Sequence, residues 1–152
     1  MAPMQNLLTE LRQTLDHGGV SAGLRYLNER VPHRFTAVYR LVDGTMQNVG
    51  FFDKHGEIPP DALLAVPLTS SFCQFVLRDG QFASGATGHD ARLDGHPYQG
   101  VVNSYVGLPL TRGGDDLRGT LCHFDFDAID VPDDEFEFLR KAALLLPNYL
   151  AL

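Results

Sequence analysis

The chain has 152 residues, with 12 Lys and Arg against 19 Asp and Glu, a formal charge of −7 and a pI near 5.2. The length suits one domain able to bury a core without staples. Scattered basic residues and net acidity exclude the concentrated positive surface that nucleic acid or an anionic membrane requires.

No apolar run approaches the roughly 20 residues of a bilayer span. The start, MAPMQNLLTELRQ, lacks the basic region, apolar stretch and small-residue cleavage site of a secretory signal. Two cysteines, Cys73 and Cys122, are too few for a disulfide framework. The expectation is a cytoplasmic protein whose thiols are reduced.

Met4, Leu8, Leu11 and Leu15 recur at helical spacing, predicting a helix over 4–16. Gly18-Gly19 interrupts it, and Val20, Leu24, Leu27 and Val31 predict a second helical stretch that Pro32 ends. The period then becomes two. RFTAVYRLV (34–42) and TMQNVGFFD (45–53) flank Asp43-Gly44, a hairpin turn signal. After a loop and LLAVPL (63–68), TSSFCQFVLRDG (69–80) predicts a short helix capped by Thr69 or Ser70 and closed by Gly80. QFASG (81–85) reads as a short strand, and residues 86–100 as a polar, glycine-rich loop, long enough to be a lid.

Two strands, 104–111 and 117–125, are predicted on either side of a turn at Arg112-Gly113-Gly114-Asp115. Pro132 and three acidic residues open a terminal helix over 132–150, its last turn disturbed by Pro147. Phe136, Leu139, Ala143, Leu146 and Leu150 form one apolar stripe, and Phe138, Ala142, Leu145 and Tyr149 a second. A helix apolar on two sides needs two surfaces to pack against, such as a sheet and either the first helix or a second subunit. Tight turns between neighbouring strands imply a mostly antiparallel sheet and an α+β fold.

The segments VPHRFTAVYRLVDG, SSFCQFVLRDGQ, DARLDGHPY, SYVGLPL and GTLCHFDF, in this order before an acidic-capped helix, resemble a GAF domain over residues 20–150. The resemblance implies a central antiparallel sheet of five to six strands. Terminal helices would cover one face, and a short helix plus loop would enclose a ligand pocket on the other. It implies a single unit over 1–152, with an N-terminal helix 4–16, a core 20–130 and a terminal helix 132–150. It also implies a small-molecule sensor in signal transduction that dimerises through its terminal helices. With no room for an output domain, the chain is expected to act alone or through a separate signalling partner.

Successive strand residues face opposite sides, so Cys122 and His123 cannot act together as a nucleophilic pair. His123, Asp125 and Asp127 share a face, but about 7 Å between i and i+2 splays them too far for a metal set, and no metal is expected. His89, Asp90, Asp94 and His96 cluster in the loop without standard ligand spacing. The loop's functional reading is a lid, with Asp94, His96 and Tyr98 presenting polar groups to a ligand.

Free methionine-(R)-sulfoxide reductases are an enzymatic branch of the resembled family. Cys73 falls where they place a cysteine, but their pocket carboxylates would fall on Tyr105, Cys122 and Phe124, and their loop cysteines have no counterpart between Arg78 and Asn103. Cys122-His123 resembles the bilin-attaching dipeptide of cyanobacteriochrome-type GAF domains, yet it falls on a strand instead of a helix. No NKFDE-like motif points to a cyclic nucleotide, and no cofactor is identified.

The expected ligand-binding set is therefore Phe72, Cys73, Asp94, His96, Tyr98, Tyr105, Cys122 and Phe124, with no catalytic residue. The alternatives are a thiol-based reductase or a redox-sensing Cys73/Cys122 pair.

Overall fold

A computed structural model describes residues 3–113 and 116–152. Helix α1 (Met4–Asn28) leads to strands β1 (Phe35–Val42) and β2 (Thr45–Asp53), a single helical turn α2 (Asp61–Leu64) and strand β3 (Ala65–Pro67). Helix α3 (Cys73–Asp79), strands β4 (Phe82–Ser84), β5 (Ser104–Thr111) and β6 (Leu117–Asp125), and helix α4 (Asp133–Leu145) complete the chain. The six strands form one antiparallel sheet in the order β3-β2-β1-β6-β5-β4.

The two predicted N-terminal helices are halves of α1, separated where Gly19 leaves helical geometry at φ 73°, a conformation that glycine adopts without steric cost. Asp43 and Gly44, both at positive φ, turn β1 into β2 as the hairpin signal requires. The predicted turn at 112–115 includes Gly114 and Asp115, which lie outside the described residues.

One expectation needs correction. Neither Thr69 nor Ser70 caps α3: both sit in a 3₁₀ turn over Leu68–Ser70, and the helix starts at Cys73 with Phe72 before it and no side-chain cap. Extended Ser71 separates the two pieces, and Gln74 Nε2 donates to the Thr69 and Ser71 carbonyls, satisfying the turn from the helix side. The disturbance expected at Pro147 is seen, since the terminal helix is α-helical only to Leu145. Leu146–Tyr149, around Pro147, tightens to 3₁₀ because proline has no N–H to continue the ladder. The 86–100 loop contains two further 3₁₀ turns, anchored by fully buried Thr87 and Leu93.

Alternation along the strands divides the core in two. Val38, Val106, Leu108, Leu110 and Leu121 face α1 and α4, packing against Leu11, Leu24, Leu27, Phe138, Leu139 and Leu146. Phe35, Ala37, Tyr39, Tyr105, Cys122 and Phe124 face the other way, against α3, Leu63, Leu93 and Val102. Both stripes of α4 are used within the chain. Arg30 links the start of α4 to the α1–β1 connection through paired contacts with Glu135, and its guanidinium lies 4.8 Å from the Phe138 ring centroid.

Phe138 is 1% exposed, whereas Leu144, on the outer side of the same helix, is 69% exposed. Phe138→Ala should therefore cost about 4 kcal/mol in urea unfolding, and Leu144→Ala should stay within about 0.5 kcal/mol. Equal losses would mean that α4 packs differently.

Candidate functional site

The face of the sheet away from the terminal helices carries a partly open cavity of about 50 Å³. Phe72 and Cys73 reach it from the start of α3, Tyr98 from the loop, Tyr105 from β5, and Cys122 and Phe124 from β6. Gly107 shapes this wall. A Cβ there would meet the Tyr105 ring at 2.8 Å and Val76 at 2.8 Å, so its absence lets the tyrosine lie along its own strand beneath α3.

Two expected site residues stand apart. Asp94 is on the surface, where its carboxylate accepts from Gln99 Nε2 at 3.0 Å, because the 3₁₀ turn at 91–93 points Leu93 inward instead. His96 packs behind the wall, its ring 4.5 Å from that of Phe72, and its Nδ1 accepts from the Tyr98 N–H. Conversely, Tyr39, Met46, Leu63, Val66 and Val102 line the cavity without having been anticipated. For Tyr39 the alternation of β1 carried the signal, since it shares a face with Phe35 and Ala37.

The cavity wall carries no charge. Tyr39 donates its hydroxyl to the Leu63 carbonyl at 2.7 Å. Cys73 Sγ lies 3.2 Å from Thr120 Oγ1 and 3.5 Å from the Tyr105 hydroxyl, and Cys122 donates to the Ala37 carbonyl. Burial pushes the pKa of both thiols and both phenols up, which keeps all four protonated. Both cysteines are free and buried. A thiolate nucleophile needs the opposite environment.

Across the sheet, His123 belongs to a separate polar network. Asn28 Nδ2 donates to Thr36 Oγ1 at 2.8 Å, and the Thr36 hydroxyl is hydrogen-bonded to His123 Nδ1 at 2.6 Å. Lys54 Nζ in turn donates to the Asn28 side chain and carbonyl. Asp125 accepts from the Arg34 and Asp127 amides. The His123 and Asp125 side chains thus have structural partners, the Asp127 side chain is exposed, and among the described residues no three His, Cys, Asp or Glu side chains converge as a metal set.

Burial, with His33 stacked 5.9 Å away and Lys54 nearby, pulls the His123 pKa down to about 3 from an ordinary 6.5. The unfolded chain binds that proton below pH 6.5 and the folded chain does not. The stabilisation is thus complete above pH 6.5 and declines as pH falls toward 3. Burial lowers the His33 pKa in the same direction. Between pH 7 and pH 5 the protein should lose about 2 kcal/mol through His123, and the loss should shrink in His123→Gln, which keeps a hydrogen-bonding group for Thr36. Equal pH slopes in urea unfolding of the two proteins would contradict this.

No family model and no curated protein matches the sequence. Solved structures do. The GAF domain of an Acinetobacter phosphoenolpyruvate-protein phosphotransferase aligns with TM-score 0.77 at 13% identity, covering 98% of this chain and 94% of that one. A free methionine-R-sulfoxide reductase from Neisseria meningitidis in complex with its substrate aligns with TM-score 0.71 at 13% identity, over 96% and 84%. The phycocyanobilin-bound GAF domain of a cyanobacterial phytochrome aligns with TM-score 0.69 at 16% identity, over 94% and 91%. At such identities the likeness concerns architecture alone. With its sheet order, its paired terminal helices and its opposed short helix and loop, this chain has the fold of a GAF domain.

Proposed function

We propose that residues 1–152 act as one small-molecule sensor, with the ligand held between the sheet and the 86–100 loop. The observation that carries this reading is the cavity itself: small, apolar, and walled by residues from α3, β5, β6 and that loop. Its thiols and the Tyr39 and Tyr105 hydroxyls already have partners, and no lining side chain is charged, so the ligand it suits is small and uncharged. For comparison, an engineered cavity of about 150 Å³ with apolar walls takes up benzene or xenon. Phe72, Cys73, Tyr98, Tyr105, Cys122 and Phe124 form the contacting wall, and His96 supports Phe72 from behind. No helix among the described residues is long and apolar enough to cross a membrane. The protein works in the cytoplasm as a homodimer through α1 and α4, whose Leu144 is exposed and whose Met4, Leu7 and Leu8 are only partly buried. It passes its signal along these helices to a separate partner.

Xenon, followed by its own NMR shift, is a direct probe of the cavity. Saturable uptake is expected, and Val102→Leu, which adds a methylene to the void, should abolish it while changing stability by at most about 1 kcal/mol. Native mass spectrometry of protein from its own host should show a dimer carrying an extra mass that leaves on denaturation. A bare monomer would overturn the dimer. Absence of both bound mass and xenon uptake would overturn the sensor.

The reductase reading is disfavoured by the same wall. A free amino acid sulfoxide carries an ammonium and a carboxylate, and no lining side chain offers either a counter-charge. Nor is the Cys73 thiol poised to attack, being 4% exposed with its pKa raised. Native protein should react with Ellman's reagent at least about tenfold more slowly than urea-unfolded chain. Fast release of one equivalent, lost in Cys73→Ser, would revive a thiol-based enzyme or a redox-sensing Cys73/Cys122 pair.

A further inference from the structure

A second cavity, of about 210 Å³, lies where edge strand β4 meets the segment leading into α4. Its walls come from three separate stretches: His33 after α1, Ala83–Gly85, and Ile129–Val131, with Val106 of β5 behind them. Gly85 makes room for the acidic side of this crevice. A Cβ there would overlap the Asp130 carboxylate and lie 3.4 Å from the Ile129 carbonyl oxygen. At the inner end, His33 is 1% exposed, and its Nδ1 is buried with no hydrogen-bond partner among the described residues. An unpaired polar atom at that depth is costly unless something completes it.

Several polar groups around the crevice share the capacity to accept. Asp130 is an exposed carboxylate, Ile129 presents a carbonyl, the Ser84 hydroxyl has lone pairs, and His33, kept neutral by burial, has one bare ring nitrogen that faces a ligand in the tautomer leaving Nδ1 unprotonated. Each can accept a hydrogen bond. An ammonium group has three donors and no acceptor, which complements them. Anions would face Asp130 without a counter-charge. One carboxylate and one imidazole fall short of a metal set. Ala83, Val106 and Val131 supply apolar wall for a short hydrocarbon stem.

We propose that this crevice is a second ligand site, taking a small primary ammonium compound whose charged head sits among Asp130, the Ile129 carbonyl and His33. The site is independent of the apolar cavity, and its failure would leave that reading untouched.

The test is a titration of ¹⁵N-labelled protein with n-propylammonium chloride, using propan-1-ol, sodium propionate and sodium chloride as matched controls. Saturable amide shifts centred on Gly85, Val106 and Asp130 are expected from the amine alone. Asp130→Asn, a change at an exposed position whose spectrum itself reports folding, should weaken binding about tenfold or more through loss of a charge-assisted hydrogen bond. Gly85→Ala should also abolish the shifts, by forcing the carboxylate out of place. The site is disproved if the amine causes no saturable shift, if propan-1-ol or sodium chloride reproduces the shifts, or if Asp130→Asn binds the amine as tightly as the parent protein.

Discussion

Strand β6 has a neighbour on each side: residues Gly119–Phe124 pair with β1, and the same residues pair with β5. A strand held from both edges cannot rotate or slip without breaking two ladders, and a slip by one residue would turn every side chain to the wrong face. Cys122 and Phe124 are thereby committed to the cavity side, and Leu121 and His123 to the helix side. The apolar cavity on one side and the His123 network on the other both follow from that division. The pairing of neighbours Cys122 and His123 in the sequence has no chemical meaning because the backbone between them is a wall.

Each face solves a different burial problem. On the cavity side the polar atoms are thiols and phenols, which remain neutral when buried and can bond to one another or to carbonyls at little cost. On the helix side the sheet end buries Asn28, His33, Thr36 and His123, which need a connected network with Lys54 at its rim. The first solution leaves an apolar void, and the second leaves an unpaired histidine nitrogen beside a crevice. A void between side chains and a polar atom without a partner are both departures from close packing and full hydrogen bonding, the places where a fold most readily admits something else.

Much of this was legible from residues alone. The β1–β2 hairpin followed from Asp43-Gly44 between alternating strands, and β5 and β6 fell at 104–111 and 117–125 as their composition indicates. Such elements are specified locally, by turn chemistry and period. The α3 cap was not legible, because Gln74 reaches back to satisfy the turn at 68–70 and displaces Thr69 and Ser70 from the capping role. Asp94 was misplaced for a related reason: in a loop of 3₁₀ turns, which side chain points inward depends on what Leu93 packs against. The crevice at His33 could not be read at all, since its parts lie some 50 residues apart in the chain and only the edge of the sheet brings them together.

Tyr105 contributes to the walls of both cavities. Its ring is held by Gly107 and Val76 beneath α3, and its hydroxyl by the Cys73 sulfur. Turning that ring to enlarge the apolar cavity would strip the buried hydroxyl of its partner and press the ring into a neighbour, each at a cost of about 1–3 kcal/mol. The 50 Å³ space is therefore closer to a fixed mould than to a collapsed pocket awaiting a large ligand. A ligand much larger than this space would require α3 or Tyr98 to move, and repacking on that scale goes well beyond a rotamer change. What a fold of this kind can hold is thus set by the volume its side chains leave between the strands.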